Sequence, residues 1–126
     1  MMTRGVRGAT TVTNNDAEEI ITNTKHLLEE MIDKNNIHPE EVSHVFISVT
    51  NDINATFPAQ ALRQLPGWKF VPVMCMREID VPGSLPKCIR VMMVINTDKN
   101  QKEIDHVFHH EAIKLRPDLI SEEGDR

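Results

Sequence analysis

Lys87-Cys88-Ile89-Arg90-Val91-Met92-Met93-Val94-Ile95 is an apolar run opened by a lysine and interrupted by one arginine. In an extended strand successive side chains point to opposite faces, so Cys88, Arg90, Met92 and Val94 share one side and Ile89, Val91, Met93 and Ile95 the other. Both sides are apolar, which predicts a strand over 87–96 covered on both faces of its sheet. Arg90 then lies in desolvated surroundings. Arginine does not shed its proton there, so its charge must be paired and hydrogen-bonded, either to an internal carboxylate or to an anionic ligand. The strand alone fits both.

Upstream, the small and β-branched residues at 2–12 predict a first strand. Asp16 and Glu19 have capping-box spacing before Ile20, Ile21, Thr24, Leu27, Leu28, Met31 and Ile32, a helical period that ends near Asn35-Asn36. Val42 to Val49 has the content of a buried strand. A polar loop over 50–56 leads to Phe57-Pro58, where proline suits the start of a short helix through Leu65, and Pro66-Gly67 makes a turn. A third strand is expected over 68–76, where Pro72 marks a sheet edge or a bulge because it cannot donate to a ladder. A fifth is expected over 105–114. The order implies an α/β (α+β) fold: a mixed sheet with one long and one short helix on one face. One helical layer cannot cover both faces of the 87–96 strand, so a small homo-oligomer is expected.

The chain has 126 residues, 40% of them hydrophobic, enough for one domain burying roughly two-thirds of its extended surface. No apolar stretch reaches the ~18 residues of a membrane span, and Arg4 and Arg7 stand where a signal peptide needs its apolar core. A soluble, cytoplasmic protein is expected. Two cysteines, Cys75 and Cys88, lack disulfide-framework or C-x-x-C spacing and read as free thiols. A net charge of −5 argues against nucleic acid as a partner, but not against a small anion gathered by a few arginines.

Several side chains could serve such a ligand. Arg7 is a second arginine in a strand, flanked by the small Gly8 and Ala9 that permit close approach. Arg63 and Arg116 each read individually as surface, yet four converging arginines suit a dicarboxylate. Glu78 leaves the third strand where loops commonly line sites, and its bland alternative is an ion pair with Arg77 or Lys87. Cys75 has no histidine nearby in sequence to activate it as a nucleophile. His106, His109, His110 and Glu111 suggest a metal, but residues 109 and 110 of one strand would face apart, so no metal site is expected.

Arg4-Gly5-Val6-Arg7-Gly8-Ala9-Thr10-Thr11, Phe57-Pro58-Ala59, Gly67-Trp68, Val71-Pro72-Val73, Cys75-Met76, Cys88-Ile89-Arg90-Val91-Met92 and Leu115-Arg116-Pro117-Asp118-Leu119, in this order over nearly the whole chain, closely resemble the AroH-class monofunctional chorismate mutases. The resemblance implies a trimeric pseudo-β-barrel with a site in each cleft between subunits. It also implies conversion of chorismate to prephenate in phenylalanine and tyrosine biosynthesis, without cofactor. A catalytic domain would span 1–115 and a flexible tail 116–126.

By the same resemblance Arg90 reaches the ether oxygen that breaks, Arg7 a substrate carboxylate, and Glu78 the ring hydroxyl, with Cys75 beside it. Phe57 and Val73 are implied pocket walls, with Ala59, Met74, Met76, Arg77 and Phe108 also at the substrate. Gln60 is likewise implied at the substrate, Arg63 and Arg116 are basic groups at the mouth, and Leu115 lies in the closing tail. Three positions depart from the family's usual pattern: Gln60 for lysine, Met74 for threonine and Phe108 for tyrosine. Phe108 lacks a phenol, which predicts weaker substrate binding. A YjgF-like imine deaminase or a non-catalytic trimer would share the fold and its arginine-lined clefts.

Overall fold

A computed structural model describes residues 1–115, in which five strands build one mixed sheet. They are β1 (Met2–Thr11), β2 (Val42–Val49), β3 (Val73–Arg77), β4 (Cys88–Thr97) and β5 (Val107–Phe108), in the spatial order β3-β2-β4-β1-β5. The β4 strand pairs antiparallel with both β1 and β2, while β3 joins β2 and β5 joins β1 in parallel. The quoted run is therefore the central strand. Its Ile89, Val91, Met93 and Ile95 are buried with Val6, Val45 and Ile47 in the core.

That core is closed by α1 (Ala17–Asn35), which buries Ile20, Leu27, Leu28 and Met31, and by α2 (Ala59–Arg63), which buries Ala61 and Leu62. The two helices pack on each other as well as on the sheet. Asp16 caps α1 by accepting from the Glu19 amide at 3.0 Å. The return half of the expected capping box is replaced: Glu19 reaches further back to the amides of Thr13 (2.7 Å) and Asn14 (3.0 Å). These bonds, the Thr13 amide foremost, hold the exposed Glu19 carboxyl below its ordinary range. At the other end Asn36 takes the left-handed conformation that terminates the helix. Buried Asn35 gives and receives bonds at the backbone of Asp105, tying the helix end to the segment that leads into β5.

The third and fifth strands are shorter than expected. Residues 68–71 are turns in which the Trp68 amide bonds to Leu65 and the Val71 amide to Trp68, so the indole fills the core in place of a strand position. The Pro72 carbonyl accepts from Val45, and pairing starts only after it, on the sheet edge as expected. In β5 only Val107 and Phe108 pair with β1. His110 has a positive φ of 53° and turns the chain into a 3-10 helix over His110–Leu115, where the Glu111 amide bonds to the Thr11 hydroxyl.

The helices cover one face. Ladder partners share a face, so Phe46, Met74, Met76 and Met92 lie on the other, and all four are exposed. Arg90 is on that same uncovered face.

Candidate active site

Arg90 occupies the middle of a row that crosses the whole sheet: Met76 opposite Ser48, Ser48 opposite Arg90, Arg90 opposite Ala9, and Ala9 opposite Phe108. The small Ser48 and Ala9 on either side leave room for a guanidinium to lie between the strands. The Arg90 side chain is 42% exposed, so the desolvation expected for it is only partial in a single chain. Its Nε is nonetheless shielded from solvent.

Glu78 is the carboxylate that meets it, with Oε2 3.2 Å from Arg90 Nε. The pair is close in distance but not aligned as a hydrogen bond, so the buried Nε–H has no bonded acceptor. Neither Arg77 nor Lys87, the partners considered from sequence, is the one found. Glu78 is fixed from three sides: its amide donates to the Val49 carbonyl (2.8 Å), Ser48 Oγ donates to Oε2 (3.0 Å), and the Ile79 amide donates to Oε1 (3.1 Å). Ser48 was not singled out in the sequence. The available signal was a hydroxyl among the apolar residues of a buried strand, at the position that the sheet register sets beside Arg90.

Arg7 lies two positions before Ala9 on β1 and therefore on the same face as Arg90. A cleft of about 270 Å³ is lined by Arg7, Gly8, Ala9, Arg90, Phe108 and Leu115. Five of the expected residues, Arg7, Glu78, Arg90, Phe108 and Leu115, are thus brought to one place.

A second group gathers elsewhere. Phe57, Cys75, Met76 and Arg77 line a separate cleft of about 520 Å³ between the loop over 53–58 and the end of β3. Ala59 is buried on α2, whereas Gln60 and Arg63 are exposed on the same helix. Val73 packs against the core and Met74 projects from the uncovered face. Within one chain the second group does not join the first. Arg116 lies outside the described residues.

Burial pushes the Cys75 thiol above its ordinary value, with the Ala59 amide and the Arg63 charge offsetting this only in part. Cys88 is likewise pushed up by burial, against an opposing pull from Arg90. Neither is tuned toward a thiolate nucleophile. The histidines are used structurally: His109 Nε2 is 3.0 Å from Glu30 Oε2, and His106 Nδ1 accepts from the Arg7 amide at 3.0 Å. Among the described residues no group of three or more His, Cys, Asp and Glu side chains could hold a metal ion. The expected reason, a strand facing both ways, does not apply, because His109 and His110 already lie past the strand. Among the same residues no helix is long and apolar enough to cross a membrane.

Two arginines line an open cleft, with a tethered carboxylate beside Arg90, an arrangement whose charges suit a small anion that also carries a hydroxyl. The chain is 53% identical over 119 residues to chorismate mutase AroH of Bacillus subtilis, covering 94% of each chain. It is 46% identical over 121 residues to chorismate mutase AroH of Thermus thermophilus, covering 95% of this chain and 98% of that one. A solved chorismate mutase from Clostridium thermocellum superposes with a TM-score of 0.85 at 50% identity, over 89% of this chain and 98% of that one. The sequence model of chorismate mutase type I matches residues 3–119. With this arginine-lined cleft on this sheet, the chain belongs to the chorismate mutase type I family.

Proposed function

We propose that this protein rearranges chorismate to prephenate in clefts completed between neighbouring copies of the chain, with Arg90 stabilising the charge that develops in the transition state. The observation that carries the reading is Arg90 itself: a shielded Nε–H with no aligned acceptor, beside a carboxylate that accepts two hydrogen bonds from a backbone itself tied to β2. An unsatisfied buried donor is costly unless a ligand completes it.

The reaction is intramolecular. The ether C–O bond breaks as a C–C bond forms, the three electron pairs shift around a six-membered array, and no atom is gained or lost. The protein has therefore no proton to deliver and no covalent intermediate to hold. Its tasks are to fold the enolpyruvyl side chain over the ring and to meet the negative charge growing on the ether oxygen. Arg90 serves the second task, through a bond that strengthens as charge separates and so favours the transition state over the substrate. Arg7 binds a substrate carboxylate. Glu78 accepts from the ring hydroxyl, and its bonds to Ser48 and Ile79 keep it in the pose the hydroxyl requires.

The second group of residues supplies the other wall. Phe57, Ala59, Gln60, Arg63, Val73, Met74, Cys75, Met76 and Arg77 come from the neighbouring copy, in a homotrimer whose uncovered faces meet, with Arg63 and Arg116 as basic groups at the mouth. The exposed Phe46, Met74, Met76 and Met92 support this assembly, because a patch of that kind on a monomer calls for a partner. The two unpaired cysteines fit a reducing cytoplasm, where the product would enter aromatic amino-acid synthesis.

The test is to incubate the purified protein with chorismate and identify the product by NMR. Prephenate is the expected product. Unchanged chorismate, or turnover of an imine in its place, would contradict the reading and favour the deaminase alternative.

A further inference from the structure

The wall of the Arg7 cleft hangs on a very short piece of sheet. Only two residues of β5 pair with β1, Val107 with Gly8 and Phe108 with Ala9. Above them the His109 amide donates to the Ala9 carbonyl at 2.9 Å. Below them the ladder would need another carbonyl to receive the Arg7 amide. The His106 ring takes that place, with Nδ1 accepting from Arg7 N at 3.0 Å.

We infer that His106 is a positioning residue for substrate binding: its Nδ1 substitutes for a ladder carbonyl and fixes the Arg7 backbone against the segment that carries Phe108 and Leu115. This rests on the proposed role of Arg7 at a substrate carboxylate. A nitrogen that accepts carries no proton, so the bond requires the imidazole proton on Nε2. Without the acceptor, the Arg7 amide loses a partner at the point where its side chain enters the cleft, and two lining residues lose the lower of the two bonds that bracket their short ladder. Arg90 and Glu78 are held from β4 and β2, so they keep their geometry. The expected effect therefore falls on binding and leaves the chemical step intact.

Three variants of the full-length chain separate positioning from general support. Asn places its amide oxygen near the position of Nδ1, whereas Gln carries its acceptor one carbon further out and Ala has none. Two quantities are read: hydrogen exchange at the Arg7 amide, and KM and kcat for chorismate. His106→Ala and His106→Gln should speed Arg7 amide exchange by roughly tenfold or more. They should also raise KM about tenfold with kcat within about twofold of wild type. His106→Asn should restore both.

Unchanged exchange in His106→Ala would overturn the inference, as would faster exchange with unchanged KM, or a loss confined to kcat. Should His106→Ala fail to fold, equal KM values for the Asn and Gln variants would overturn it. Wild-type turnover is measured first, and its absence would count against the proposed function. The amide exchange would still decide whether His106 holds Arg7.

Discussion

At Arg90, an arginine within an apolar strand admitted two accounts, a structural ion pair or a ligand, and the molecule combines elements of both. Glu78 lies 3.2 Å from Arg90 Nε but is not aligned to bond it, while the Ser48 hydroxyl and the Ile79 amide hold the carboxylate in place. Its position leaves the Arg90 Nε–H without a bonded acceptor, as the proposed role at the ether oxygen requires. Phe108 lines the same cleft without a phenolic hydroxyl, so Phe108→Tyr should lower KM for chorismate about fivefold, the worth of one hydrogen bond near 1 kcal/mol. An unchanged KM would place residue 108 away from the substrate carboxylate. Cys75 is half-buried with its thiol pushed upward, and the rearrangement needs no nucleophile, so Cys75→Ser should keep most of the wild-type kcat. A covalent adduct on Cys75 trapped during turnover would overturn that. Arg7, Glu78 and Arg90 were legible as residue types because charges in strands and at strand ends stand out. Their mutual geometry was not, and neither Ser48 nor His106 could be selected before the register placed them beside Arg90 and Arg7.

Among the elements, long periodic segments were readable and short ones were not. The first helix, β2 and β4 were predicted to within a residue or two, because apolar periodicity over eight or more residues has one economical burial. The third and fifth strands shrank because tertiary contacts decided them: Trp68 plugs the core from a turn, and His110 takes a positive φ. The helical layer meets β1 at Gly8, where an added Cβ would collide with Met31 Sδ. Gly8→Ala should therefore destabilise the fold by about 1–3 kcal/mol, read as a lower denaturant midpoint. A second element contact is the clasp between the loop after β2 and the start of β4. There both Asp52 carboxylate oxygens accept from the Lys87 amide, at 3.1 and 2.9 Å. Burial raises the Asp52 carboxyl, but the Thr50 hydroxyl and the Lys87 amide outweigh it, and the net shift is below the ordinary 3.8. A depressed folded value means the clasp is stabilising above 3.8 and is lost as pH falls through the folded value. The gap in melting temperature between wild type and Asp52→Asn should be widest near neutral pH and close as pH falls below 3.8 through the folded value.

Over the whole molecule, the covered and uncovered faces of the sheet divide the labour. The helices close one face into a core, and the other carries Arg90 amid Phe46, Met74, Met76 and Met92, with the two groups of candidate residues lining separate clefts. The apolar character of the uncovered face was legible in the two-sided pattern of β4, and the homo-oligomer proposed to cover it is not encoded in any local pattern. Met92→Glu, placing a charge in the middle of that face, should yield a monomer by sedimentation velocity and lose chorismate turnover with it. A monomer that retained full turnover would refute intersubunit sites. The most direct test of the account is kcat for chorismate at saturating substrate, compared between wild type and Arg90→Ala with chelator present throughout. Loss of the donor to the ether oxygen should cost at least ~3 kcal/mol, a fall of more than about a hundredfold with the wild type unaffected by the chelator. An Arg90→Ala enzyme that kept kcat within about tenfold of wild type would contradict the assignment of Arg90 to the transition state.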